Sequence, residues 1–350
     1  MFCCLSLADQ SSFARETLPK WENVCPQKKM KVLAIILLVG YVAANPIEED
    51  DKKPIVIDER FYPKEWEVYK SDHEIVSILV PLNSINFEED TSPDDKDSNV
   101  IMFFAEADIV NGKRVDKGVY VFQNKVATKI LDNGRDMAAS GDDSRLVFIA
   151  ASDGLYVYKE ETKTAEKYGT INDDIIGIAK DKSGDVIYIL TADNEVYKVT
   201  DDGKAKEKVL DKADQIVLDY ESNLYYTSDN KVHVLKGNEK KDINVPQGAV
   251  TLIKPPYVLD EGIPCVVDDK AYIVYPNGTS EVYGVEFKPN FKPTAYAMEA
   301  ALLQYQAHNK AIYEYNLVKV IEENIASLDS VFGDNKTELR SLATSKKTFN

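Results

Sequence analysis

The sequence is short of the residues that build metal centres and covalent cross-links. Its 350 residues include only 3 His, 4 Cys and 2 Trp, which leaves little room for a zinc site. It contains no Gly-x-Ser-x-Gly nucleophile motif, no phosphate-binding Gly-Lys-Ser/Thr loop, no Cys-x-x-Cys pair and no His-Glu-x-x-His motif. We therefore predict no catalytic residues, no bound metal and no cofactor.

Positive charge is also in deficit. The chain has 42 Lys+Arg against 59 Asp+Glu, a net charge of −17. Such a chain has no general attraction for nucleic acid or for an anionic membrane surface, so neither is expected as a partner.

The one long apolar run lies near the N-terminus. Residues 30–44 (MKVLAIILLVGYVAA) follow Lys28 and Lys29 and end in small residues. This order is typical of a secretory signal peptide cleaved near Ala44, and the run is too short to span a bilayer. A buried core helix is the competing interpretation, which the flanking charges disfavour. We expect an extracellular product, with 1–29 an upstream extension missing from the mature protein.

Removal of residues 1–44 leaves 37 basic and 56 acidic residues, a net charge of −19, and one cysteine, Cys265. Because no internal disulfide is then possible, a domain of this size must be stabilised by its apolar core.

A pattern of a small apolar or β-branched residue followed by a ring residue recurs six times. The ring positions are spaced by 36, 41, 36, 39 and 41 residues, a period typical of propeller blades. They are Tyr120, Tyr156, Tyr197, His233, Tyr272 and Tyr313. Each lies on a strand that follows another strand across a tight turn, and a more apolar strand precedes each hairpin.

Four strands in each of six repeats predict an all-β fold, a six-bladed β-propeller. A β-sandwich is the alternative, but it does not explain the fixed period. Residues 67–75 match the pattern of 208–216, so we expect 66–69 to be the outer strand that closes the last blade. The predicted boundaries are an acidic N-terminal arm at 45–65, the propeller at 66–323 and a polar tail at 324–350.

Arginine is scarce: only five arginines follow residue 44. We place Arg114 in a long loop between the second and third strands of the first blade, and Arg135 in the link before an inner strand. Both then lie on the face where propellers usually bind ligands, and Tyr296 occupies an inner strand. These three residues are the predicted ligand site. The alternative is that both arginines are solvated surface residues and that Tyr296 only fills space between strands.

Two further sets of residues suggest a role. Asp153, Asp193, Asp229 and Asp269 occupy equivalent hairpin turns, where they suit turn geometry; the alternative is a ring of calcium ligands. Asn277 and Asn335 begin glycosylation sequons.

Several segments resemble the ommochrome-binding proteins of insect haemolymph, best known in moths. The resemblance covers residues 54–323 and rests on 55–57 (IVI), 64–68 (KEWEV), 178–184 (IAKDKSG) and 224–230 (LYYTSDN). It implies a secreted haemolymph carrier of a small aromatic pigment of the ommochrome type, a phenoxazinone dye derived from tryptophan. It supplies no binding motif that can be transferred residue by residue.

Other functions remain open at this stage. Propellers of the strictosidine-synthase, gluconolactonase, yellow and royal-jelly types share the architecture, and a fold alone does not choose a function. The main alternative is a calcium-dependent lactonase or esterase-like hydrolase. The centres of the predicted inner strands are poor in oxygen ligands, which favours the carrier. A structural or developmental interaction protein is the third possibility.

Overall fold

The structure is a computed structural model that describes residues 54–81 and 101–316, apart from 112, 143, 145, 183, 256–258, 260 and 298–302. The predicted upstream extension, signal peptide and C-terminal tail lie outside the described residues, as do residues 45–53 of the acidic arm.

The described residues form 25 strands in six small sheets arranged as a six-bladed β-propeller. Blade 1 contains β3 (Glu74–Leu79), β4 (Met102–Val110), β5 (Lys113–Gln123) and β6 (Val126–Leu131). Blade 2 contains β7 (Gly134–Ala139), β8 (Val147–Ala151), β9 (Gly154–Lys159) and β10 (Thr164–Lys167). Blade 3 contains β11 (Ile175–Lys180), β12 (Ile187–Thr191), β13 (Val196–Thr200) and β14 (Ala205–Leu210).

The remaining blades have the same order from the centre outwards. Blade 4 contains β15 (Gln215–Leu218), β16 (Leu224–Ser228), β17 (Lys231–Lys236) and β18 (Glu239–Asp242). Blade 5 contains β19 (Val250–Leu252), β20 (Ile263–Val267), β21 (Lys270–Val274) and β22 (Ser280–Phe287). Blade 6 contains β23 (Ala295–Ala297), β24 (Leu303–His308), β25 (Ala311–Asn316) and the N-terminal β2 (Glu67–Lys70).

Closure of the ring by the N-terminal strand is confirmed. Strand β2 pairs antiparallel with β25, with Glu67 opposite Tyr313 and Lys70 opposite Ala311. The chain upstream adds a second contact that the sequence did not predict: β1 (Ile55–Ile57) pairs parallel with β22 and becomes a fifth strand of blade 5. The N-terminal segment thus pairs with two neighbouring blades, blade 5 through β1 and blade 6 through β2.

The predicted tight turns between strands contain residues with positive φ. Asp229 and Asn230 have φ values of 53° and 58° between β16 and β17, and Gly154 has a φ of 127° after β8. A turn with positive φ at both central residues matches the right-handed twist of the two strands it joins. These turns define the register of blades 2 and 4.

Apolar side chains form six clusters, and each cluster lies between two neighbouring blades. Ile75, Phe104, Tyr305 and Ile312 belong to the cluster between blades 6 and 1, so the apolar core continues across the closure. Full burial of one such side chain contributes roughly 1.5–3 kcal/mol. Cys265 is a buried free thiol in the cluster between blades 4 and 5, and burial raises its pKa to about 12.

Candidate functional site

All six inner strands contribute to a cavity of about 240 Å³ in the central channel. Apolar residues such as Val76, Ile176, Ile216 and Leu252 make up much of its wall. The three predicted site residues, Arg114, Arg135 and Tyr296, come from blades 1, 2 and 6, and all line this one cavity.

The predicted locations of both arginines need correction. Arg114 lies on β5, opposite Ile109, because the β4–β5 hairpin continues to pair beyond a bulge near Gly118. Gly118 has a φ of 112°, and a Cβ there would approach the Leu131 carbonyl oxygen to 2.6 Å, so the bulge requires glycine. Arg135 lies on β7, beside a second irregularity in register, rather than in a link.

Each arginine is held by carboxylates. Asp116 accepts from Arg114 Nε at 2.7 Å and from Arg135 Nε at 2.6 Å, so it bridges the two guanidinium groups. Arg114 also donates to the Arg135 carbonyl at 2.8 Å, and Arg135 pairs with Asp174. The two positive charges are therefore balanced by two negative ones. The Asp174 side chain is 51% exposed, against 16% for Asp116, so Asp174 is the partner that a ligand can replace more easily.

Sequence reasoning missed Asp116 and Asp174, although one signal was present. Arg114 and Asp116 are two residues apart, which puts both on one face of a strand. That signal was invisible while the segment was interpreted as a loop. Asp174 precedes β11 in the next blade, so its contact with Arg135 depends on how blades 2 and 3 pack.

Tyr296 lies on inner strand β23, as predicted, and contacts the cluster between blades 5 and 6. Its hydroxyl is buried and has no hydrogen-bond partner, and burial raises its pKa well above the usual value. The ring lines both the central cavity and a smaller apolar cavity of about 40 Å³ between blades 5 and 6. Tyr296 therefore contributes an aromatic surface to the cavity, whereas its hydroxyl is enclosed.

Lys254 is a further cation in the channel. It follows β19 in blade 5, and its ammonium donates to the Met137 carbonyl of blade 2. Its Nζ lies 3.8 Å from Asp136 Oδ1. Lys254 could not be assigned to the channel from the sequence, because it precedes a proline in a predicted connecting loop.

Polar contacts link the inner strands of different blades. Ser77 donates to Asp136 Oδ1 at 2.8 Å, and the Ile178 amide donates to Asp136 Oδ2 at 3.1 Å, so this carboxylate joins blades 1, 2 and 3. Gln215 of blade 4 donates to the Val250 carbonyl of blade 5 at 2.9 Å. Satisfied polar groups of this kind hold the wall of the cavity in place.

The aspartates of the hairpin turns do not meet in a ring. Asp153 accepts from Asn133 at 2.7 Å and from Tyr156 at 2.9 Å, whereas Asp229 pairs with Lys212 at 2.5 Å in a different blade. Within the described residues, no group of three or more His, Cys, Asp or Glu side chains could hold a metal ion. No helix in the same part of the chain is long and apolar enough to cross a membrane.

The sequon at Asn277 lies in the exposed turn between β21 and β22. Its Oδ1 accepts from the Thr279 amide at 2.9 Å and from the Thr279 hydroxyl at 2.7 Å. Asn335 lies outside the described residues.

Comparison with known proteins adds little to this geometry. No protein-family model matches the chain, and no curated protein matches it. A solved structure with a similar fold is the extracellular domain of a putative one component system from B. thetaiotaomicron, at 9% identity and a TM-score of 0.46. The match covers 72% of this chain and 41% of that one. The chain thus spans less than half the length of that domain.

Proposed function

We propose that the protein is a secreted, non-enzymatic carrier that binds an aromatic pigment of the ommochrome type at the mouth of the propeller. One observation carries the proposal: Arg114, Arg135 and Tyr296 come from three separate blades and line a single cavity whose walls contain both apolar and polar side chains. A flat aromatic anion needs an apolar wall, a ring to stack on and a local cation.

The charge of the whole protein opposes this ligand, so a local cation is required. The long-range field of an acidic protein repels an anion. The planar guanidinium of Arg135 can pair with a carboxylate and lie against a flat ring. We infer that a pigment carboxylate replaces the exposed Asp174 at Arg135, while Asp116 keeps the two guanidinium groups in position.

The test is a titration of the protein with an ommochrome pigment, followed by quenching of intrinsic fluorescence. A charge-assisted hydrogen bond contributes about 1.5–3 kcal/mol, so Arg135→Ala should weaken binding about ten- to a hundredfold. Arg135→Lys keeps the charge but loses the planar fork, and should be intermediate. Arg340→Ala is the control, because Arg340 belongs to the predicted polar tail at 324–350 and not to the predicted ligand site.

A parent protein that fails to bind any phenoxazinone would overturn the carrier proposal. Calcium-dependent turnover of a lactone or an ester by the same preparation would then favour the hydrolase alternative. Equal affinities of the parent and both Arg135 variants would remove Arg135 from the site.

A further inference from the structure

Lys254 occupies a special position in the channel. It lines the central cavity and also a second cavity of about 70 Å³, whose other lining residues include Ser140, Lys182 and Asp219. Its side chain runs from blade 5 to the backbone of blade 2. The ammonium therefore stands between the two cavities, at the inner end of the central one.

The Lys254 ammonium is paired less closely with carboxylate than the two arginines are. The Nε atoms of Arg114 and Arg135 each bind Asp116 at 2.6–2.7 Å. The carboxylate nearest to Lys254, Asp136, already accepts from Ser77 and from the Ile178 amide, and its separation of 3.8 Å from Nζ is beyond hydrogen-bond distance. An ammonium has three N–H donors. Among the described residues, only the Met137 carbonyl accepts one of them.

Arg135 and the carbonyl that accepts from Lys254 lie on the same inner strand, β7. The Met137 carbonyl that holds Lys254 belongs to β7, two residues beyond Arg135. Two residues of a strand span about 7 Å. The cavity thus has a cation near its mouth and another at its inner end, and Tyr296 lies in the wall that both share.

We propose that Lys254 binds a second anionic group of the ligand, so that the cavity selects flat aromatic molecules with an anionic group at each end. The proposal rests on the proposed carrier function and names the class of ligand. A carboxylate at that end of the cavity would accept the unused N–H donors of Lys254 in a charge-assisted hydrogen bond, which is stronger than a neutral one.

Two fluorescent probes of the same ring system test the inference. Naphthalene-2,6-dicarboxylate has an anionic group at each end, whereas 2-naphthoate has one. We expect the parent to bind the dicarboxylate about tenfold more tightly, from one extra charge-assisted contact. Lys254→Met should abolish that preference, because it weakens binding of the dicarboxylate about tenfold more than binding of 2-naphthoate, and Lys254→Arg should restore part of it. Lys182→Met is the matched control, because Lys182 lines only the second cavity.

The outcomes separate this inference from the carrier proposal. If Lys254→Met weakens both probes equally, or neither, the assignment of Lys254 is wrong even if the parent binds the pigment. If the parent binds no pigment but Lys254 still controls the preference for the dicarboxylate, the carrier proposal fails and the assignment stands. Lys254→Gln and a thermal unfolding curve for every variant exclude misfolding as the cause.

Discussion

At the scale of single residues, the buried polar groups fall into two sets. Asp219 is fully engaged: it accepts from the Asn223 side chain, the Tyr225 hydroxyl and the Gly262 amide. The Tyr296 hydroxyl, by contrast, is buried without a partner. A buried donor that lacks an acceptor costs about 1–3 kcal/mol of desolvation that nothing offsets.

We therefore expect Tyr296→Phe to leave the free energy of unfolding unchanged, or to raise it by about 1 kcal/mol. The matched control is Tyr225→Phe, which removes a hydroxyl that donates to Asp219 at 3.1 Å. This variant should lower the free energy of unfolding by about 1–3 kcal/mol. Urea unfolding of the two variants measures both effects. Equal losses in the two would show that the Tyr296 hydroxyl has an acceptor in solution.

At the scale of elements, the attachment of β1 depends on one carboxylate. Asp58 follows β1 directly, and its side chain is only 4% exposed. It accepts from Arg60 Nε at 2.9 Å and from Lys288 Nζ at 2.8 Å, and Lys288 follows β22 in blade 5. The hydrogen bonds from Arg60, and next from Lys288, hold the pKa of Asp58 well below its usual range.

The lowered pKa of Asp58 determines the direction in which the stability of the fold changes with pH. Because the pKa of Asp58 is lower in the folded state than in the unfolded state, its ionised form stabilises the fold above about pH 4, and this contribution is lost as the pH falls below about 4. We expect Asp58→Asn to be less stable than the parent at pH 7, and the difference to shrink on acidification. Asp211→Asn, which changes a 90% exposed carboxylate, is the control. A constant difference from pH 7 to pH 2 would contradict the assignment.

At the scale of the whole molecule, the ring has no disulfide within the described residues and closes by strand pairing and aromatic packing. Tyr69 of β2 packs against Phe104 of blade 1, with ring centroids 4.8 Å apart, and donates to Glu106 Oε1 at 3.2 Å. Trp66 contacts Tyr315 of β25, with centroids 5.4 Å apart. The segment that closes blade 6 thus also joins it to blade 1.

A variant that begins at Ser71 should lose the cooperative unfolding of the ring, because it exposes the edge of β25 and removes β1 from blade 5. A variant that begins at Pro54 keeps both strands and is the control. Calorimetry compares their thermal transitions. Tyr69→Ala keeps β2 but removes its aromatic packing, and should lower the free energy of unfolding by about 3 kcal/mol. A Ser71 variant with the same midpoint as the Pro54 variant would show that closure does not limit stability.

Several features of the fold were determined by the sequence alone. The period near 40 residues, the turn residues such as Asp229-Asn230 and the pattern at 67–75 predicted six blades and their closure, because each of these repeated patterns is visible in the order of residues along the chain. The same reasoning placed Arg114 and Arg135 on one face. It interpreted the strand that carries Arg114 as a loop, since the bulge at Gly118 hides the continued alternation.

The charge balance of the cavity was decided only by the tertiary structure. Asp174 reaches Arg135 from the next blade, and Lys254 reaches the Met137 carbonyl from 117 residues away. No local pattern predicts such contacts, because they arise only after the ring closes and the inner strands converge on the channel. The sequence therefore identified Arg114 and Arg135, whereas the fold determined which carboxylates pair with them and brought Lys254 into the same cavity.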